Sequence, residues 1–103
     1  MAEVVWTIPA LNDLEGILEY IALDNPEAAN ALASRVFERV GKLELYPNSG
    51  SRPKEFKGTP YRRLVIVPVL AYHRQEGSNV FIVHVSRAER GIQLENILGS
   101  DMG

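Results

Sequence analysis

The chain contains no cysteine. That excludes disulfides, thiolate nucleophiles and cysteine-held zinc at once. It suits a reducing compartment, so the cytoplasm is the expected location. No apolar run approaches the roughly 20 residues needed to span a bilayer, and no membrane partner is expected. The opening segment MAEVVWTIPA has no basic stretch followed by an apolar one, so it does not read as a secretory signal. Histidine is scarce as well. His73 and His84 lie eleven residues apart without the carboxylate or cysteine spacing of a metal site, so neither metal nor cofactor is expected. Ser49, Ser51 and Ser86 have no triad arrangement in the sequence, and no hydrolase is assigned.

What is present fits one small folded domain over residues 1–103. The chain has 103 residues, of which 46% are hydrophobic and 23% charged. At that length one core is feasible but thin, and a bound partner adds stability. The net charge of -2 hides an asymmetry. Residues 1–51 carry eight acidic and three basic side chains, whereas residues 52–103 carry eight basic and five acidic ones. The second half therefore offers basic surface to an acidic partner.

Periodicity supplies the elements. Val4-Val5-Trp6 reads as an opening strand. Thr7 or Ile8 caps a helix with Pro9 in its first turn. Leu11, Leu14, Ile17, Leu18 and Ile21 form its apolar stripe, leaving Asp13, Glu15 and Glu19 to face water. Asn25, Pro26 and Glu27 are cap, first position and dipole partner of a second helix running to about Leu45. Its stripe is Ala29, Leu32, Val36, Val40 and Leu43, so the two helices make an antiparallel hairpin. Prolines and Gly50 mark a loop from Tyr46 to Pro60 carrying Lys54 and Lys57. Three strands follow, Tyr61 to Val67, Val69 to Arg74 and Val80 to Arg87, with Pro68 at a bend and Gln75 to Asn79 as a hairpin loop. The non-alternating run Val80-Phe81-Ile82-Val83 predicts a strand covered on both faces. From Ala88 a short helix uses Ile92, Leu94, Ile97 and Leu98, and residues 99–103 are expected to fray. The order β-α-α-β-β-β makes an α+β fold, a helical hairpin on one face of a mostly antiparallel four-stranded sheet.

Several segments, in this order and spacing, resemble the ParE/RelE toxin superfamily of type II toxin–antitoxin systems. They are Ala10-Leu11-Asn12-Asp13-Leu14 with Ile17 and Tyr20-Ile21, the Pro47/Gly50 loop, Tyr61-Arg62-Arg63-Leu64, Tyr72-His73-Arg74, and the run from Val80 to Arg90. The resemblance implies a toxin silenced by a cognate antitoxin. ParE-like members poison DNA gyrase, and RelE-like members cut mRNA on the ribosome. The nuclease branch needs basic side chains on the sheet and commonly a tyrosine near the C-terminus. Matched residue by residue, Arg62 stands at one expected lysine and Leu64 at another. Val69 and Ala88 stand at expected arginines, with Arg87 next to the latter, and Leu94 stands at the tyrosine. These departures favour the ParE-like branch, a binding poison rather than an enzyme. The alternatives are a metal-independent mRNA endonuclease acting on the ribosome and a non-toxic relic that only binds antitoxin.

The candidate target-binding residues are Arg62, Arg63, Arg74, His84, Arg87, Glu89 and Arg90. Arg62 and Arg63 point to opposite faces of their strand. Arg74 shares a face with Tyr72, whose packing reads as core with the arginine stem at the rim. His84 reads as a core histidine satisfied by a backbone group, with a general base as the sharper alternative. His73 is expected to titrate at the surface. Arg87-Ala88-Glu89-Arg90 gathers three charges at the end of a buried strand and is the strongest candidate, against a plain solvated salt-bridge cluster. Trp6 is expected in the core or an interface.

Overall fold

Thr7 turns the chain from strand to helix and ties that turn to the far end of the sequence. In the computed structural model, which describes residues 1–88 and 94–102, its side chain accepts from the Ala10 N–H at 3.3 Å. The same hydroxyl donates to the Ile82 carbonyl at 2.7 Å, so one residue caps a helix and fixes it to the sheet. Helix α1 runs Ile8–Asp24 and helix α2 Pro26–Gly41, followed by a 3-10 turn at Lys42–Glu44. Asn25 separates them, accepting from Ala28 N–H at 3.1 Å with Pro26 first in α2.

The strands are β1 (Glu3–Trp6), β2 (Arg62–Ile66), β3 (Val69–Glu76) and β4 (Asn79–Arg87). Helix α3 follows at Leu94–Met102. The sheet order is β1-β4-β3-β2. The β2–β3 and β3–β4 pairs are antiparallel, and β1 lies parallel to β4, so the sheet is mixed. The helical hairpin carries the chain from one sheet edge to the other. No described helix is long and apolar enough to cross a membrane.

Both sheet faces are covered. On the hairpin side, Leu64, Ile66, Val69, Ala71, Val80, Ile82 and Val85 pack with Leu14, Leu32, Val36, Val40 and Leu43. On the opposite side, Tyr72, Leu70 and Val83 pack with Phe56, Tyr61 and Ile97 of α3. The buried side of α1 is shifted from the expected stripe. Ala10 and Leu14 are buried, whereas Leu11 stands exposed, because Thr7 sets the helix against β4 and turns Leu11 outward. The C-terminus also departs from expectation. Residues 99–102 continue α3 instead of fraying, because Ile97 is fully buried and Asp101 is held by two side chains described below. Strand β3 extends through Glu76, leaving Gly77-Ser78 as the turn.

A register shift decides what the last strand presents. Tyr72 pairs with His84, but His73 pairs with Ile82, so Val83 is an extra residue on β4. The bulge turns both Val83 and His84 toward the Tyr72 side, which breaks the alternation of the strand.

Gly50 is required by its loop. Its φ is 97°, and a Cβ there would lie 2.7 Å from the carbonyl oxygen of Arg63. The backbone of neighbouring Ser51 forms two hydrogen bonds with Arg63, so the loop cannot move away freely. Gly50→Ala should therefore destabilise the fold by about 2 kcal/mol or more in urea unfolding, from left-handed strain plus a backbone clash. An unchanged unfolding midpoint would show that the loop is not held this way.

Candidate functional site

Strand β1 ends at Trp6, opposite Ile82, so β4 has no β1 neighbour from Val83 onward. Helix α1 lies along that open edge. Asp13 Oδ2 accepts from the Val85 N–H at 3.1 Å and sits 2.9 Å from His84 Nδ1. The Ser100 hydroxyl of α3 lies 3.3 Å from the same ring nitrogen. His84 thus joins α1, β4 and α3. Its partner is a carboxylate, not the backbone group anticipated for a core histidine, because the bulge carries the ring to the sheet edge. Asp13 likewise does not simply face water. It replaces the missing strand as acceptor for Val85.

The cleft beside this pair holds about 730 Å³ and is lined by Asp13, Gly16 and Tyr20 of α1 with His84, Ser86 and Arg87 of β4, among others. The Arg87 guanidinium stacks over the Tyr20 ring at 4.8 Å from its centroid. That contact is cation–π in character and leaves the charge at the cleft wall.

Behind the cleft, on the side covered by α3, polar groups form a row across the sheet. Arg63 pairs with Tyr72 and Tyr72 with His84, and Ser86 lies two residues further along β4. Arg63 Nε, Tyr72 Oη, His84 Nε2 and Ser86 Oγ are all buried, with Arg63 and Ser86 close enough to the Tyr72 hydroxyl to interact with it. Burial pushes the Tyr72 phenol up, partly offset by the nearby Ser86 and Arg63.

Helix α3 is clamped over this row. Asp101 Oδ2 accepts from Tyr61 Oη at 2.7 Å and from Arg74 Nε at 2.8 Å. Arg74 also pairs with Glu76 at 2.9 Å and lies over the Phe81 ring at 4.7 Å. Burial and the hydrogen bond to Asp101 push the Tyr61 phenol up to about 12. Burial alone would raise the Asp101 carboxyl, but hydrogen bonds from Arg74 and Tyr61 hold it below the usual range. Arg74 fastens α3, a more specific role than a stem covering the core rim.

The expected site residues therefore separate. His84 and Arg87 share the cleft, Arg63 belongs to the buried row, and Arg74 clamps α3. Arg62 lies on the hairpin side opposite His73, which confirms that the two adjacent arginines use different faces. Glu89 and Arg90 lie outside the described residues. His73 is a correction. It is 1% exposed, bonded to the Ser49 carbonyl under the Gly50 loop, and cannot titrate as a surface histidine. Leu64 and Val69, read as vacant lysine and arginine positions, are buried in the hairpin-side core, where packing itself demands apolar side chains. Asp13, Tyr20, Tyr72, Ser86 and Asp101 were not singled out in the sequence as site residues. The signal for the first two was the spacing Asp13, Gly16, Ile17, Tyr20, which places them on one helix face. Among the described residues, no group of three His, Asp or Glu side chains is placed to hold a metal ion.

Comparison with known proteins places this arrangement. Residues 4–92 match the family model described as the ParE toxin of the type II toxin–antitoxin system parDE. The chain is 35% identical over 96 residues to Toxin RelE2 of Caulobacter vibrioides, covering 91% of this chain and all of that protein. It is 38% identical over 69 residues to the putative toxin Y4kP of Sinorhizobium fredii, covering 67% of this chain and 71% of that one. A solved structure described as the chromosomal ParDE TA system from P. aeruginosa superposes with a TM-score of 0.73 at 26% identity, covering 86% of this chain and 98% of its match. With most of its length matched in sequence and in fold, this chain belongs to the ParE toxin family of type II toxin–antitoxin systems.

Proposed function

We propose that the protein is a ParE-like poison of DNA gyrase, kept silent by a cognate antitoxin. The observation that carries this reading is the closed sheet face. RNA cleavage without a metal needs a base, an acid and cations open to a ribose and its phosphate. Here Tyr72 is fully buried, Arg63 Nε and Ser86 Oγ are sealed, and Arg74 and Tyr61 are engaged by Asp101. A binding poison needs only a shaped surface. The cleft wall with Tyr20, His84 and Arg87 supplies one, half polar and open at the sheet edge.

The antitoxin has apolar surface to cover. Ile8, Leu11 and Phe37 are exposed on the helical hairpin, and the Phe37 ring packs against Trp6 with centroids 5.2 Å apart. An amphipathic helix on the hairpin, a strand added beyond the end of β1, or both would bury it. A second reading, a RelE-like endonuclease, is favoured by two observations. The Asp13–His84 pair at the open cleft is an acid–base pairing, and the 35%-identical relative bears the name RelE2.

Expression of the chain alone separates the readings. Persistent gyrase–DNA cleavage complexes with DNA damage signalling and intact mRNA are expected, and co-expressed antitoxin should suppress them. Codon-positioned mRNA cuts without gyrase complexes would select the endonuclease. Neither effect, with antitoxin still bound, would identify a non-toxic relic.

A further inference from the structure

Gly16 stands at the middle of α1 on the wall of the cleft, and nothing within the chain calls for a glycine there. A Cβ at this position would meet no atom within 4 Å, so close packing does not require its absence. Its φ is not positive, so the backbone does not require it either. Inside a helix, glycine is destabilising relative to alanine. What it offers in exchange is room for another backbone to come close.

The opposite wall is a strand edge. The last rung between β1 and β4 is the hydrogen bond from Thr7 N–H to the Ile82 carbonyl, 3.1 Å long. Past it β1 does not continue, and α1 supplies the Asp13 carboxylate as acceptor for the Val85 N–H. The N–H and C=O of one strand residue point to the same edge, so the Val85 carbonyl faces that way too. Asp13 thus stands in for one rung of a neighbouring strand, with a backbone acceptor beside it. At ~3.3 Å per residue, the edge from Val83 to Arg87 matches a segment of about four residues.

The rest of the lining narrows the occupant. Asn12, Ser86 and Asn96 offer side-chain hydrogen bonds, and Tyr20 is 60% exposed. The Asp13 carboxylate is engaged by Val85 and His84, which leaves the Arg87 guanidinium, stacked on Tyr20, as the cation at the wall. A strand edge, an open glycine and a cation suit an extended polypeptide with an acidic side chain. The β2 strand of a second copy is a poor source, because its outer edge is closed by Ser51 on Arg63 and by Arg35 on the Val67 carbonyl at 2.9 Å. Resting on the toxin–antitoxin reading, we propose that the cleft binds an extended acidic segment of the cognate antitoxin. Its backbone passes Gly16 and donates to the Val85 carbonyl, and its acidic side chain faces Arg87.

Two variants of the full chain, titrated with the cognate antitoxin, test this. Gly16→Ala should raise the melting temperature by about 4–8 °C, because the helix gains propensity. The same change should weaken antitoxin binding, and Gly16→Leu, which fills the space, should weaken it at least ~10-fold. A purely structural role would move stability and affinity in the same direction. Among overlapping synthetic peptides covering the antitoxin, an acidic one should bind the wild type, slow hydrogen exchange along Val83 to Arg87, and fail to bind Gly16→Leu. Unchanged antitoxin affinity in both variants, with circular dichroism showing them folded, would overturn the proposal. So would a bound peptide that is helical by isotope-edited NMR, or a dimer of the chain alone that Gly16→Leu dissociates. A wild-type chain that binds no antitoxin at all would instead remove the toxin–antitoxin reading, and the proposal with it.

Discussion

Val36→Asp and Leu14→Asp are each expected to abolish folding, whereas Glu15→Ala should leave the melting temperature almost unchanged. Val36 is 0% and Leu14 2% exposed, and both belong to the core between the hairpin and the sheet. Replacing either with aspartate forfeits about 1.5–3 kcal/mol of apolar burial. It also leaves a carboxylate with no cationic partner in a dry core, costing several kcal/mol more or forcing it to take up a proton. A domain of this size is held by only about 5–15 kcal/mol, so the loss is of the same order as the whole stability. Glu15 is exposed on α1, away from the buried Ala10 and Leu14. Circular dichroism melts of the three variants decide the matter. Similar effects from all three would mean that the helix faces are wrongly assigned.

Stability should fall by about 3 kcal/mol as the solution is acidified from pH 6.5 to pH 4, because of His73. In the unfolded chain this ring titrates near its ordinary value of 6.5, while in the fold burial lowers it to about 4. Above the unfolded value neither state binds the proton, and the full contribution is present. Between the two values the unfolded chain takes up a proton that the folded chain refuses, so the balance shifts toward unfolding. Below the folded value both states are protonated and the loss is complete. The Asp101 carboxyl is held low by Arg74 and Tyr61, so its contribution is present above the unfolded carboxylate value and disappears only at still lower pH. Denaturant unfolding across this range should show the His73 step, and His73→Gln should flatten it. A variant that keeps the wild-type slope would place the titration on another group.

Much of the fold was legible because local signals were strong. Asn25-Pro26-Glu27 marks a helix start whose cap and first position need only those residue types, and the structure places the boundary there. The stripe Leu32, Val36, Val40 and Leu43 is buried as its spacing implies, since a helix repeats its faces every three to four residues. Leu11 was misplaced because spacing alone does not fix the rotation of a helix against its sheet. The Thr7 hydroxyl on Ile82 fixes it, across a separation of 75 residues.

The candidate site was less legible, for the same reason on a larger scale. Arginine and histidine can be named in a sequence, but their roles depend on what stands opposite. Arg74 became a clamp because Asp101, 27 residues away, reaches it. His73 became a buried donor to the Ser49 carbonyl because the Gly50 loop folds over it, although its place beside a hairpin suggested solvent.

By itself, the sequence determined the number and kind of elements, the two helix starts, the opposite faces of Arg62 and Arg63, and the family. These follow from patterns repeated every two or three to four residues and from residues with fixed local geometry, such as proline and asparagine. Only the tertiary structure decided the mixed sheet, the bulge that turns His84 toward Asp13, the clamp on α3 and the separation of the arginines. Each of these depends on contacts between residues far apart in the chain, and a single added residue in the β4 register moves every side chain beyond it to the other face.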